Sequence, residues 1–215
     1  MRHHAHQGRA YSRAERISDA VVHITGMVVI ALAAPALIVV TTFTQHDGSA
    51  LVAVSVYGAG LVAVIFCSAL YNLNRKTELR WLFQRLDHSA IYLKIAGTYT
   101  PFALLSGQGL ALTLGLWGTA AIGIAMKLVS PLRWRWLALA LYLGMGWVGV
   151  FAGHAVFAAL PMPVLVLMAT GGGLYTLGVP FYLWQRLPFH YTIWHVIVLA
   201  ASLLFYAAVV MFLLG

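Results

Sequence analysis

Seven long apolar stretches constrain the fold of this chain more than any other feature of its sequence. Crossing about 30 Å of hydrocarbon takes about 20 apolar residues in a helix, and seven segments of the 215-residue chain qualify. Backbone polar groups must be satisfied inside lipid, and unbroken apolar runs lack the alternation of a membrane β-strand, so the segments are helices. The predicted spans are Val21–Thr42, Leu51–Asn72, Asp87–Leu105, Leu110–Met126, Leu137–Leu160, Val164–Trp184 and Thr192–Leu214. The sequence therefore predicts an all-α bundle of seven transmembrane helices.

The composition excludes several other classes of protein. Hydrophobic residues make up 62% of the chain and charged residues only 8%, whereas a soluble domain carries about 25% charged residues. Cys67 is the single cysteine, so no intrachain disulfide can form. A soluble enzyme, a disordered protein and a disulfide scaffold are therefore excluded, and an integral membrane protein remains.

Apart from Lys94, which lies within the third span, lysine and arginine occur only at alternate connections between the predicted spans. They lie before the first helix, after the second, between the fourth and fifth, and between the sixth and seventh, as Arg2, Arg9, Arg13, Arg16, Arg75, Lys76, Arg80, Arg85, Lys127, Arg133, Arg135 and Arg186. This bias predicts a cytoplasmic N-terminus and a C-terminus outside, in the cell membrane. The net charge of +8 then indicates membrane lipids as partners, with anionic headgroups at the basic loops, and not nucleic acid. No protein partner is indicated.

The chain divides into two regions on the same pattern. Residues 1–17 are predicted to form a basic cytoplasmic tail, without a cleavable signal peptide because the first apolar stretch follows about twenty polar residues. Residues 18–215 are predicted to form the seven-helix membrane domain.

Polar residues from four predicted helices share one depth near the cytoplasmic face. They are Asp19 and His23, Ser68 and Asn72, Asp87 and His88, and Tyr191 and His195. Because ionisable groups are costly in a bundle, they tend to face one another or a water-filled cavity. A spacing of four places Ser68 with Asn72 and Tyr191 with His195 on shared faces, whereas His190 lies about 140° around the helix from His195.

Several of these residues stand in motifs that resemble the hemolysin III family, the bacterial branch of the seven-helix progestin and adiponectin receptor superfamily. The motifs are Ser68-Ala-Leu-Tyr-Asn72, Leu86-Asp87-His88-Ser89-Ala90-Ile91-Tyr92, Ala96-Gly97-Thr98-Tyr99-Thr100-Pro101-Phe102, Gly173-Leu174-Tyr175-Thr176-Leu177-Gly178 and Ile193-Trp194-His195, with Glu15, Asp19 and His23 resembling an N-terminal motif. The resemblance covers nearly the whole chain.

The resemblance implies seven helices and a zinc site near the cytoplasmic face. In the family, one His of the second helix and two of the seventh bind the metal, and a Ser and an Asp stand close by. Such a site suits a metal-activated hydroxide that attacks a lipid amide, and bacterial members are linked to membrane-lipid homeostasis.

This sequence departs from the family pattern at the ligand positions. Ser68, Asp87 and His195 match, but Asn72 and Tyr191 replace two of the three ligand histidines. Since zinc binds Cys, His and carboxylate side chains, the sequence predicts a degenerate zinc site, to which His23, His88 or His190 is a possible accessory. Asp87 and Ser68 remain the tentative catalytic pair.

Lys94 is a further departure, because the family usually has an apolar residue there. It lies seven residues after Asp87, on the same face and about 10 Å deeper. The hypothesis is that Asp87 and Lys94 form a metal-free charge network, so that Lys94→Leu would destabilise the protein. Snorkelling to the interface is the alternative for Lys94.

Three functions remain open at this point. The favoured one is a non-catalytic protein of membrane-lipid homeostasis or sensing. The runner-up is a zinc-dependent lipid hydrolase similar to a ceramidase, and the third is a proton or ion transporter in which Asp87, Lys94 and His195 relay charge. Each residue also has a structural alternative: Asp87 a helix cap, Ser68 a hydrogen bond back to a carbonyl of its own helix, Asn72 a loop residue or an interhelical contact, Tyr191 an interfacial aromatic, and His195 a packed histidine.

Overall fold

The structure is a computed structural model that describes residues 11–45 and 47–215. These residues form eight α-helices and no strand. The helices are α1 (Arg13–Thr44), α2 (Gly48–Leu73), α3 (Arg80–Leu105), α4 (Leu110–Val129), α5 (Arg135–Ala152), α6 (His154–Ala158), α7 (Met162–Leu183) and α8 (His190–Leu214). The all-α prediction is confirmed. Most of the predicted N-terminal tail, residues 1–10, lies outside the described residues, as does His46 in the first predicted turn.

Six of the helices in the described part of the chain are long and apolar enough to cross a membrane: α1, α2, α4, α5, α7 and α8. Large apolar side chains cover their outer surface, such as Leu32 and Phe43, which are 70% and 80% exposed. A bundle with this exterior requires lipid around it. The chain is therefore a multi-pass membrane protein.

The third predicted span is helical but not apolar. Helix α3 has 26 residues, enough for about 39 Å, and it includes Arg80, Arg85, Asp87 and Lys94. It packs between α2 and α4. Gly60 and Gly97 allow the close crossing of α2 and α3, because an added Cβ would lie 3.0 Å from the Leu93 carbonyl oxygen and 3.2 Å from that of Val56, respectively.

The fifth predicted span, Leu137–Leu160, is broken in the structure. Helix α5 ends at Ala152, and Gly153 has φ −102° and ψ 21° before the short α6 begins. Glycine is a poor helix former because it gives up the most backbone freedom on folding, so the break falls on this residue.

Neighbouring helices in sequence pack side by side, and α8 returns to α1. Side chains such as Ile30, Leu37, Tyr57 and Phe102 fill a core in one half of this closed arrangement. The other half, where α1 and α8 begin, contains a cavity of about 430 Å³. We call this half the α1/α8 end.

Candidate functional site

Hydrogen bonds between side chains fix the first turns of α1 against those of α8. Helix α1 starts with a capping box, in which Ser12 and Glu15 each accept a hydrogen bond from the other's backbone N–H. Glu15 also accepts from the backbone N–H of Phe189 at 2.9 Å, just before α8. Three side-chain pairs also join the start of the chain's described part to α8: Tyr11, which precedes α1, with His190 at 2.8 Å, Ser18 with Thr192 at 3.0 Å, and Asp19 with His195 at 2.7 Å.

Asp19, His23 and His195 form a cluster that could hold a metal ion. One ligand atom from each of the three side chains lies within 4.8 Å of the other two. The imidazole rings of His23 and His195 are 4.3 Å apart between centroids, with an interplanar angle of 70°. Asp19 and His23 are buried, at 2% and 5% exposure.

Asp19 fixes the orientation of both imidazoles. The Nδ1–H of His195 donates to Asp19 Oδ1 at 2.7 Å, and the Nδ1–H of His23 donates to the backbone carbonyl of Asp19 at 2.8 Å. A carbonyl oxygen or an ionised carboxylate can only accept, so the proton of each ring is on Nδ1. The Nε2 of each ring therefore keeps its lone pair, as a metal ligand requires.

The carboxylate of Asp19 lies behind the two rings. His23 and His195 line the cavity, whereas Asp19 does not. On its other side, Arg75 approaches Asp19 Oδ2 to 3.6 Å. Asp19 thus orients the imidazoles from behind, an arrangement that is common among metal-binding histidines. Two imidazoles and nearby carboxylates fit the donor preferences of zinc.

The predicted polar residues of α2 and α3 face the same part of the cavity. Ser68 Oγ lies 3.4 Å from His23 Nε2, and the amide of Asn72 donates to the backbone carbonyl of Ser68 at 3.0 Å. Asp87 faces Ser68 and interacts electrostatically with His195. The structure thus brings Ser68, Asn72, Asp87 and His195 together.

Of the remaining predicted residues, Tyr191 lies beside this group, whereas His190 and His88 lie apart from it. Tyr191 also lines the cavity, and its ring centroid is 5.6 Å from that of His195. His190 is turned away, since its Nε2 contacts Tyr11 and its Nδ1 contacts the Phe181 carbonyl at 3.2 Å. His88 lines another part of the cavity, beside Lys127.

The structure does not bring Lys94 to Asp87. The buried Lys94 ammonium hydrogen-bonds the hydroxyl of Tyr175, whose oxygen lies 2.7 Å from Ser202 Oγ. The ammonium also lies 4.1 Å from the ring centroid of Tyr175 and 5.5 Å from that of Phe205. Within residues 11–45 and 47–215, neither Asp87 nor Lys94 takes part in an ion pair shorter than 4.0 Å.

One cavity is lined by most of these groups. Its polar part contains His23, Ser68, Asn72, Asp87 and His195, and its deeper wall is largely apolar, with side chains such as Ile65, Ile91, Leu143 and Phe205. An apolar pocket with a few convergent polar groups is the usual form of a site for a small or lipid-like molecule.

The sequence does not reveal the role of Asp19 in the candidate site. Asp19 is polar and lies at the right depth, but the family pattern directs attention to the second and seventh helices. The available signal is the spacing of Asp19 and His23, which puts both on one face of α1.

Comparison with known proteins identifies the family of the chain. The model of the family "Haemolysin-III related" matches residues 12–206. A hemolysin-3 homolog of Bacillus subtilis (strain 168) is 36% identical over 93% of this chain and 97% of its own length. Hemolysin-3 of Bacillus cereus is 37% identical over 93% of this chain and 92% of its own. The human monocyte to macrophage differentiation factor is 30% identical over 72% of this chain and 67% of its own. The chain therefore belongs to the haemolysin-III-related family.

Proposed function

We propose that this chain is a zinc-binding protein of membrane-lipid homeostasis, with the ion at the α1/α8 end and a lipid in the adjoining cavity. The observation that carries the proposal is the pair of imidazoles, His23 and His195, held side by side at the cavity by Asp19. In the haemolysin-III pattern the second and seventh helices supply the histidines. Here α1 supplies one histidine, His23, whereas Asn72 and Tyr191 occupy two of the ligand positions of that pattern.

The residues that would hold the ion are His23 and His195 through Nε2, in the cluster that they form with Asp19. Catalytic zinc sites commonly have three protein ligands and one open position. Asp19 would orient both rings, because its Oδ1 accepts from the Nδ1–H of His195 and its backbone carbonyl accepts from the Nδ1–H of His23.

The proposed topology has seven crossings, with the N-terminus cytoplasmic and the C-terminus outside. Support comes from the basic residues, which apart from Lys94 lie at the start of α1 or before it, and in or next to the connections α2–α3, α4–α5 and α7–α8, on one side only. Helix α3 is the least apolar crossing, and α5 with α6 makes one crossing. The site would then lie near the cytoplasmic face.

Zinc content tests the proposal. We expect about one zinc per chain in the full-length protein purified in detergent, and loss of that zinc in His23→Ala and His195→Ala. His154→Ala is the matched control, because His154 is exposed in α6. Asp19→Asn should keep the fold and weaken zinc binding by about 10-fold to 100-fold, the usual effect of losing an orienting partner.

Size-exclusion profiles and Tm, measured for every variant, separate loss of the metal from loss of the fold. The proposal is wrong if the wild-type protein, expressed with added zinc, carries none. It is also wrong if folded His195→Ala retains as much zinc as His154→Ala.

Lipid hydrolysis is the second candidate, and the position of Ser68 and Asp87 beside the imidazoles favours it. A bound zinc would supply Lewis acidity to polarise a carbonyl group and activate water. Asp87 is placed to accept a proton, and Ser68 to donate a hydrogen bond to a polar group at the mouth of the cavity. The test measures release of fatty acid from a fluorescent ceramide in mixed micelles. Release by the wild-type protein that is abolished in Asp87→Asn, with zinc still bound, would establish lipid hydrolysis. No release by the zinc-loaded wild-type protein would exclude hydrolysis of this lipid amide.

A further inference from the structure

Three basic side chains from three different helices line a second part of the cavity wall. They are His88 of α3, Lys127 of the last turn of α4 and Arg135 at the start of α5. We call them the basic rim. They are separate from the histidines of α1 and α8, and nothing in the proposed zinc chemistry uses them.

Lys127 is unusually buried for a lysine, at 3% exposure. Its ammonium donates to the Pro131 carbonyl at 2.9 Å, and His88 lies beside both Lys127 and that carbonyl. A backbone carbonyl carries only a partial charge and takes one of the three ammonium protons, so the lysine keeps donors for a ligand.

Two buried nitrogens of the basic rim have no hydrogen-bond partner among the described residues: His88 Nδ1 and Arg135 Nε. The guanidinium carbon of Arg135 lies 5.6 Å from the ring centroid of Tyr182 and 5.7 Å from that of Trp136. Buried polar atoms normally have a partner. Arg135 Nε can only donate, so it indicates a ligand with acceptor oxygens, and His88 Nδ1 on a neighbouring helix can donate to the same ligand when it carries a proton.

The charge of the cavity wall favours an anion. Within the described residues, three Lys and Arg side chains line it, namely Lys94, Lys127 and Arg135, against the single carboxylate of Asp87. Asp87 precedes His88 directly, which turns it about 100° around α3, and it faces Ser68. No carboxylate in the described residues lies within 4.0 Å of the basic rim. A buried cation without a counter-charge is costly.

We infer that the basic rim binds a phosphate group, the anion whose several oxygens can satisfy an arginine fork, an ammonium and an imidazole together. The apolar wall beyond the rim suits the acyl chain of a phospholipid, and basic pockets between helices at the cytoplasmic side of a membrane bind such headgroups. The inference rests on the lipid cavity of the proposed function and names the class of lipid. A free phosphate ion would offer the same chemistry without the chain.

The test uses the full-length protein in neutral maltoside detergent, titrated with dioctanoyl phosphatidylglycerol, dioctanoyl phosphatidylcholine or inorganic phosphate. Binding is read by native mass spectrometry and by the rise in Tm that a ligand of the folded state produces. The variants are Lys127→Gln and Arg135→Gln. The matched control is Arg133→Gln, which removes an exposed arginine of the same connection.

We expect phosphatidylglycerol to bind the wild-type protein and Arg133→Gln equally, and Lys127→Gln and Arg135→Gln at least tenfold more weakly. Weaker binding of phosphatidylcholine, together with no effect of inorganic phosphate, assigns the site to an anionic phospholipid. Saturation by inorganic phosphate, with competition against the lipid, assigns the same site to a soluble phosphate. Equal binding of every ligand by all four proteins overturns the inference.

Zinc content, measured on the same samples, separates this inference from the proposed function. Arg135→Gln should keep its zinc, which also shows that the variant has folded. His195→Ala should lose zinc and keep phosphatidylglycerol. If the basic-rim variants bind lipid as the wild-type protein does but zinc is bound, only the inference about the basic rim is wrong. If His195→Ala keeps both zinc and lipid, the zinc proposal is wrong and the basic rim is still supported as the lipid site.

Discussion

At Lys94, the structure predicts a different effect of substitution from the one that the sequence suggests. The sequence suggests a charge network with Asp87, in which Lys94→Leu would leave a carboxylate unpaired. In the structure the ammonium instead hydrogen-bonds Tyr175, and Asp87 lies beside Ser68. The two charged groups therefore have separate surroundings.

We expect Lys94→Met to leave the Tm of the purified protein unchanged or to raise it. A methionine of similar length keeps the packing, the Tyr175 hydroxyl keeps its contact with Ser202 at 2.7 Å, and the cost of burying an ammonium is removed. Differential scanning fluorimetry in detergent measures the effect. Asp87→Leu serves as the comparison, and a fall in Tm for Lys94→Met as large as for Asp87→Leu would support the charge network.

The candidate site could be predicted in part from single residues. Depth and motifs identify Ser68, Asp87 and His195, and the structure brings them together. The place of His23 could not be derived, because periodicity gives the face of a helix but not the neighbour toward which α1 turns it. The role of Asp19 escapes the sequence for a related reason: it depends on a contact with α8, 176 residues away in sequence.

At the scale of helices, α3 and α4 pack closely where Gly123 meets Tyr92. A Cβ added at Gly123 would overlap the ring of Tyr92, which is fully buried. Gly118 lies on the same helix, and a Cβ added there would have no atom of another helix within 4 Å. Substitutions at these two glycines therefore separate the effect of helix packing on stability from the effect of helix propensity.

We expect Gly123→Val to destabilise the protein by about 1–3 kcal/mol, the usual cost of overpacking a filled core. Gly118→Val has the same effect on propensity and should leave the free energy of unfolding nearly unchanged. Unfolding in a mixed-micelle denaturant titration gives both values. Equal losses for the two variants would mean that the α3–α4 contact is looser than the structure indicates.

Helix boundaries could be predicted where polar, turn-forming residues mark the end of an apolar stretch. Asp47, in the first predicted turn, caps α2, and the hydrogen bonds from Ser49 lower the pKa of its carboxyl. The break at Gly153 was not predicted, because Gly149 and Gly153 form a small-residue pattern that also suits close packing of an unbroken helix. Only the backbone angles distinguish these two uses of glycine.

For the whole molecule, the proposed topology gives a labelling pattern. In a Cys67→Ser background, Gln108→Cys in the α3–α4 connection should react with a membrane-impermeant maleimide on intact cells. Lys76→Cys in the α2–α3 connection should react only after permeabilisation. Both positions are exposed, so a difference reports the side of the membrane. Labelling of Lys76→Cys on intact cells would reverse the orientation.

The overall architecture was the most predictable level, because the thickness of a bilayer and the need to satisfy the backbone leave few alternatives to apolar helices. The seven-crossing count remains a prediction, since α3 carries too many polar side chains to qualify by composition. Several of those side chains line the cavity. The polar groups that make α3 the least recognisable span therefore include groups on which the candidate site depends.

The hydrogen bonds between the first turns of α1 and α8 have a consequence for how the protein matures. During synthesis the N-terminal part of a chain emerges and folds first, so Asp19 and His23 enter the membrane long before His195 exists. The imidazole pair can form only after the last helix has been inserted against the first. If the proposed zinc site is correct, a chain whose synthesis stops within α7 would form a bundle that cannot bind zinc, and zinc content would then distinguish completed chains from truncated ones.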